Sequence, residues 1–110
     1  MQTIRAIKID VERGQVYEIR LPDHLDGIYA AVNCSVFTEV PLGERHCVLV
    51  DDEGAINGTD ALFSIDTGIL LFGNGVIVSL DFNKTTYSDC KLNLTYIEKR
   101  VRFYKAVPVV

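Results

Sequence analysis

Four groups of side chains in this 110-residue chain are of types that could do chemistry. Asp51, Asp52 and Glu53 stand together before Gly54, and carboxylate oxygens are the natural ligands of hard cations. Setting Gly54 at the sixth position of a calcium loop puts Leu49 at the first, where an oxygen ligand is needed, so that register fails. Three adjacent acids on a hairpin tip also point in different directions, which makes a solvated turn the expected reading. Gly73-Asn74-Gly75 has the opening of a phosphate-cradling loop. A dinucleotide fingerprint, however, reaches a third glycine and opens a helix. Position 78 is Val78 and the segment leads into a strand, so a tight turn is expected there, with a nucleotide contact as the alternative.

His24 and His46 share no metal-ligand spacing with each other or with a cysteine, and neither C-x-x-C nor H-E-x-x-H occurs. His46 and Cys47 are neighbours, so on one strand they face opposite ways and do not form a thiolate–imidazole pair. Both histidines are read as isolated polar residues on a half-exposed sheet. There is no G-x-S-x-G elbow and no P-loop lysine. No metal or cofactor is therefore expected. The fourth group is basic and aromatic: Lys99, Arg100, Arg102 and Lys105 interleave with Phe103 and Tyr104. Such a strip can grip phosphates and stack on bases. It can equally be the end of a helix meeting the protein's own acidic surface, or a face for a protein partner.

Charge is unevenly spread. Between Asp10 and Asp66 there are 12 acidic and 3 basic residues, a net of −9, while the rest holds 3 acidic and 8 basic, a net of +5. The total of −4 gives no overall attraction for duplex nucleic acid or an anionic membrane. Apolar residues at 48% and charged residues at 24% exclude wholesale disorder and low complexity. The length suits one domain spanning 1–110, large enough to bury a core without staples. No apolar run approaches the roughly 20 residues of a membrane span, and no basic-then-apolar signal opens the chain. Cys34, Cys47 and Cys90 are odd in number and irregularly spaced, which reads as buried, reduced thiols and a cytoplasmic location. Four N-x-S/T triplets, at Asn33, Asn57, Asn83 and Asn93, carry no meaning without a secretory signal.

The elements that must position these groups follow from periodicity. Ile7, Ile9 and Val11 alternate with Lys8 and Asp10. After the turn Glu12-Arg13-Gly14, Tyr17, Ile19 and Leu21 resume the alternation, which predicts a β-hairpin. Leu25, Ile28, Tyr29 and Val32 fall on one helical stripe, with Asp23 as N-cap and Asn33 as the stop. Residues 35–40 and 46–51 read as strands about a Pro41-Leu42-Gly43-Glu44 turn, and Gly54 returns the chain towards Ala55 and Ile56 in a second hairpin. From Leu62 to Phe72 periodicity does not separate strand from helix. Residues 76–82 form a strand. A second short helix is predicted over about 93–100, capped by Asn93, with Lys99 and Arg100 in its last turn. The tail from Arg102 adds an edge strand that tolerates Pro108. The fold class is therefore α+β, a mainly antiparallel sheet built from hairpins with two short helices packed on it. The apolar segments 69–72 and 106–110 either close the core or face a partner, which raises self-association into a homo-oligomer.

Nearly the whole chain, over residues 4–104, resembles a family of small phage- and plasmid-borne proteins grouped as a domain of unknown function. The resemblance rests on Ile28, Tyr29 and Val32 followed by Cys34 and Phe37, then on Val50-Asp51-Asp52-Glu53-Gly54 and Phe63. It continues through Leu71, Gly73, Gly75 and Ile77 to Val101-Arg102-Phe103. Phe72 departs from it, standing where a small residue is usual, as does the apolar tail. The resemblance implies an accessory gene of a mobile element and carries over no catalytic residue.

Three functions follow as expectations. The first is a non-enzymatic cytoplasmic accessory protein that binds a host protein, such as a defence factor, and inhibits it. The second is a small-ligand binder that sequesters a nucleotide at Arg100, Arg102 and Tyr104 or at the Gly73-Asn74-Gly75 turn. The third is an enzyme whose residues converge only in the fold.

Overall fold

Among the described residues hydrogen-bonded ladders form two antiparallel sheets, accompanied by one short helix. The structure, a computed structural model, describes residues 3–22, 37–43, 45–53, 60–66, 70–80 and 87–106. The strands are β1 (Thr3–Asp10), β2 (Gln15–Pro22), β3 (Phe37–Gly43), β4 (His46–Asp51), β5 (Ala61–Ile65), β6 (Leu71–Phe72), β7 (Gly75–Leu80), β8 (Tyr87–Ser88) and β9 (Val101–Lys105), with the helix α1 (Leu94–Glu98) before β9. The larger sheet runs β2-β1-β7-β4-β3, with β8 paired to the end of β7; the smaller runs β6-β5-β9. The fold is thus mainly antiparallel β-sheet. The predicted helix over 25–32 and the return towards Ala55 and Ile56 lie outside the described residues. No helix among the described residues is long and apolar enough to cross a membrane.

The predicted first hairpin is present in full register, from Thr3 opposite Pro22 to Asp10 opposite Gln15. Its first strand is more deeply buried than simple alternation suggests. Ile7 and Ile9 face one core and Ile4 and Ala6 the other. Asp10 is buried as well. Its carboxylate accepts from the Tyr17 hydroxyl at 3.0 Å and from the Arg13 backbone N–H at 3.1 Å, which replaces the water it loses.

The central strands β4 and β7 carry near-continuous apolar runs because both of their faces are covered. Val48, Val50 and Ile77 meet Phe63 and Ile65 of β5, Val101 of β9 and Ile97 of α1 in the core between the sheets. Cys47, Leu49, Val76 and Val78 turn to the opposite face. Gly75 is fixed by this packing. A Cβ there would lie 2.6 Å from Phe63 Cζ and 2.9 Å from Val48 Cγ2.

Three boundaries differ from expectation. β3 continues through Pro41, opposite Cys47, where a turn was predicted. It is an edge strand, so the missing proline N–H leaves no ladder bond unmade. The stretch that periodicity left open begins as strand β5, held by β9 on one side and β6 on the other. The helix ends at Glu98 with Lys99 as its cap, so neither Lys99 nor Arg100 lies within its last turn.

Candidate functional site

Where α1 hands over to β9, the small sheet and the large sheet leave a cavity of about 320 Å3. Its floor is apolar, from Leu42, Ile65, Leu92 and Ile97, and its polar wall is His46, Asp66, Tyr96 and Arg100. Asn93 sets this wall in place. Its side-chain oxygen accepts from the backbone N–H groups of Thr95 at 2.8 Å and Tyr96 at 3.3 Å, the N-cap geometry expected of Asn. One helical turn then buries Ile97 and leaves Tyr96 46% exposed.

Arg100 follows the helix with its guanidinium carbon 4.0 Å from the centre of the Tyr96 ring. Its Nη1 donates to Asp66 Oδ2 at 2.5 Å. The two residues are also tied by backbone, since the Asp66 N–H donates to the Arg100 carbonyl at 3.2 Å. Asp66 itself has a left-handed backbone, φ 60°, a conformation aspartate tolerates better than most residues but which still carries strain of roughly 1 kcal/mol.

His46 opens β4 on the face that carries Val48 and Val50 into the core between the sheets, and only 7% of it is exposed. Its Nε2 accepts from the Lys91 backbone N–H at 3.2 Å. An accepting Nε2 places the ring proton on Nδ1. That Nδ1 is buried without a hydrogen-bond partner, alone in this among the side-chain polar atoms of the described residues. A buried donor left unpaired costs about 1–3 kcal/mol, and an unpaired group in a cavity wall asks for an explanation.

The segment that supplies Lys91 and Leu92 is pinned to β1 by Arg5. The Arg5 Nη1 donates to the carbonyls of Cys90 at 2.6 Å and Leu92 at 3.0 Å, and its Nε to Glu18 at 2.7 Å. Its backbone N–H donates to Asp89 Oδ1 at 2.7 Å, and its carbonyl accepts from the Cys90 N–H at 2.8 Å.

The structure scatters the residues that sequence reasoning grouped. Arg100 belongs to the cavity, but Arg102 and Tyr104 do not join it. Strand alternation turns these two to the face of β9 opposite Val101 and Phe103. There Arg102 donates to the carbonyls of Lys99 and Val101, and Tyr104 stands 47% exposed. Gly73, Asn74 and Gly75 form the expected turn, with Gly73 at φ 81° and Asn74 Oδ1 accepting from the Val11 N–H at 3.0 Å. The register of Gly75 opposite Val50 puts this turn beside Asp51, at the far end of the sheet from His46, which pairs with Ser79. Asp51 Oδ1 accepts from the Glu53 N–H at 2.9 Å, and Asp52 and Glu53 are exposed. This is a solvated Asx turn. Among the described residues no three His, Cys, Asp or Glu side chains are grouped to hold a metal ion.

His46, Asp66 and Tyr96 are the site residues that sequence reasoning missed. The one signal was a histidine opening the otherwise apolar run Cys47-Val48-Leu49-Val50, which marks a buried rather than a half-exposed position. A second concavity, of about 390 Å3, lies between the β1–β2 turn, Glu98 and Phe103. Its Tyr17 hydroxyl is already committed to Asp10.

Neither a curated protein nor a solved structure matches the chain. A family model does match, over residues 4–101. The chain belongs to the family described as Domain of unknown function (DUF3846).

Proposed function

We propose that this chain works by binding, as a non-enzymatic accessory protein of a phage or other mobile element, and that what it captures is a small ligand in the His46–Arg100 cavity. The observation that carries this reading is the cavity wall itself. It combines a buried imidazole with an unmet donor, a stacked guanidinium and a half-exposed aromatic ring above an apolar floor. Mostly apolar lining with a few placed polar groups is the make-up of small-molecule sites, and about 320 Å3 is at the lower end of their size. The two thiols among the described residues, Cys47 and Cys90, support binding over covalent chemistry. Burial, with Glu39 adding to it, pushes Cys47 up to about 12, and burial also raises Cys90, so neither is a ready thiolate nucleophile.

Thermal-shift screening of host metabolites tests the reading. A ligand at 100 times its dissociation constant adds about 2.7 kcal/mol to stability, a rise of roughly 10 °C or more for a domain of this size. His46→Gln keeps an acceptor for the Lys91 N–H while removing the Nδ1 donor, and is expected to abolish the shift with the fold intact. A flat response across the panel contradicts the proposal.

A second reading has its own support. Exposed Tyr104 with Arg102 on the same face of the outer strand β9 is a basic, aromatic strip suited to a host protein partner. Substituting Arg102 and Tyr104 together would then abolish partner capture without touching the metabolite shift.

A further inference from the structure

The chemistry of the cavity narrows what it can hold; this step rests on reading the cavity as a ligand site. Among the described residues the cavity wall presents two nitrogen donors with spare capacity, beside the Tyr96 hydroxyl and Oδ1 of Asp66. His46 offers Nδ1–H. Arg100 Nη1 donates to Oδ2 of Asp66, and among the described residues Nη2 and Nε have no hydrogen-bond acceptor. A guanidinium matches a carboxylate or phosphate with two parallel bonds, and here it is only half engaged. Its guanidinium carbon is held over the Tyr96 ring and its Nη1 on Asp66, so the fork is restrained before any ligand arrives and less freedom is lost on binding. Asp66 sits where such an anion would sit, in a left-handed backbone conformation. The rest of the lining, Leu42, Ile65, Leu92 and Ile97 with Pro41 and Gly43, contributes no polar side chain. That surface suits a flat ring beside the half-exposed Tyr96.

We propose that the cavity takes a ring-bearing molecule with one anionic head, an aromatic carboxylate or a mononucleotide phosphate, whose anion replaces the Asp66 carboxylate at Arg100. Asp66 is then an internal stand-in for the ligand, and it competes with it. The local donors are needed because residues 10–66 carry a net charge of −9, which repels anions at longer range.

Calorimetric titration of the full chain with benzoate and AMP, and with their neutral counterparts benzamide and adenosine, tests this. The anions are expected to bind roughly tenfold more tightly than the neutral molecules, since hydrogen bonds to charged groups are the stronger class. Arg100→Met should remove that advantage. Asp66→Asn should tighten the anions severalfold and leave the neutral molecules unchanged, whereas a residue that merely positions Arg100 would weaken them when replaced. Neutral probes binding as well as anions, with His46→Gln still abolishing both, would overturn the anionic assignment and leave the ligand site standing. Weaker anion binding by Asp66→Asn overturns the stand-in role. Silence from all four probes overturns the inference, and together with a flat metabolite panel it removes the ligand site as well.

Discussion

The ring of Phe63 in β5 occupies the space that a side chain on Gly75 in β7 would need, with Cζ 2.6 Å from the position of a Cβ. This contact joins the two sheets at the centre of the core they share, and it is closed to any larger residue. Gly75→Ala is expected to destabilise the protein by about 1–3 kcal/mol through overpacking. Chemical denaturation checks it, and Gly75→Ala should cost less in a Phe63→Leu background than in the parent, because the ring atoms that clash are then gone and only Val48 Cγ2 still crowds the site.

The Arg5 side chain ties β1 to the segment before α1, beside the Asp89 carboxylate that accepts from the Arg5 N–H. Replacing Arg5 with Met leaves the carbonyls of Cys90 and Leu92 without their donor, at a cost of about 1–3 kcal/mol. Hydrogen exchange reads the local consequence. The Lys91 amide, bonded to His46 Nε2, should exchange faster in Arg5→Met than the decrease in global stability accounts for. Equal acceleration of all slow amides would show that Arg5 acts on the whole fold and not on the cavity wall.

Asn93→Ala removes the acceptor shared by the Thr95 and Tyr96 amides. A lost N-cap of this kind costs about 1 kcal/mol. Because a helix of five residues does not persist without packing and caps, ring-current shifts near Tyr96 should collapse well before global unfolding.

Stability should fall at high pH. Cys47 is held up to about 12 in the folded protein by burial first and Glu39 second, while an unfolded thiol loses its proton near 8.5. Above the unfolded value the unfolded chain binds fewer protons than the folded one, so stability is full below about 8.5 and is lost as pH rises towards 12. Cys90 and Tyr17 are raised in the same direction, both by burial foremost, and add to the loss. Denaturation midpoints from pH 7 to 10.5 should decline, and the decline should be shallower in Cys47→Ala. An unchanged slope in that variant would contradict the assignment.

Much of the frame is legible in the sequence, and the reasons are local. The β1–β2 hairpin follows from strict alternation about a glycine turn, β7 from a β-branched run after a glycine pair, and the start of α1 from Asn93. The end of α1 is not legible, because Lys99 and Arg100 are good helix formers and only the pairing of β9 with β5 draws the chain out at Val101. The strand nature of residues 61–65 is hidden for the same reason, since both of its partners come later in the chain. The site shows the same split. Arg100 stands out in a basic segment, but His46 comes from β4, Asp66 from the end of β5 and Tyr96 from α1, and only the packing of one sheet on the other brings them to one wall. The series Arg100, Arg102 and Tyr104 misleads because its i, i+2, i+4 spacing implies one strand face, whereas β9 begins only at Val101 and Arg100 lies in the turn that follows α1.

The claim that the His46–Arg100 cavity is the binding site is tested most directly by following amide and side-chain resonances of the labelled chain as benzoate and AMP are added. The shifts are expected to concentrate at His46, Asp66, Tyr96 and Arg100, with saturation. Saturable shifts confined to Arg102 and Tyr104, or to the turns at Asp51–Glu53 and Gly73–Gly75, with the cavity residues unmoved, would contradict it.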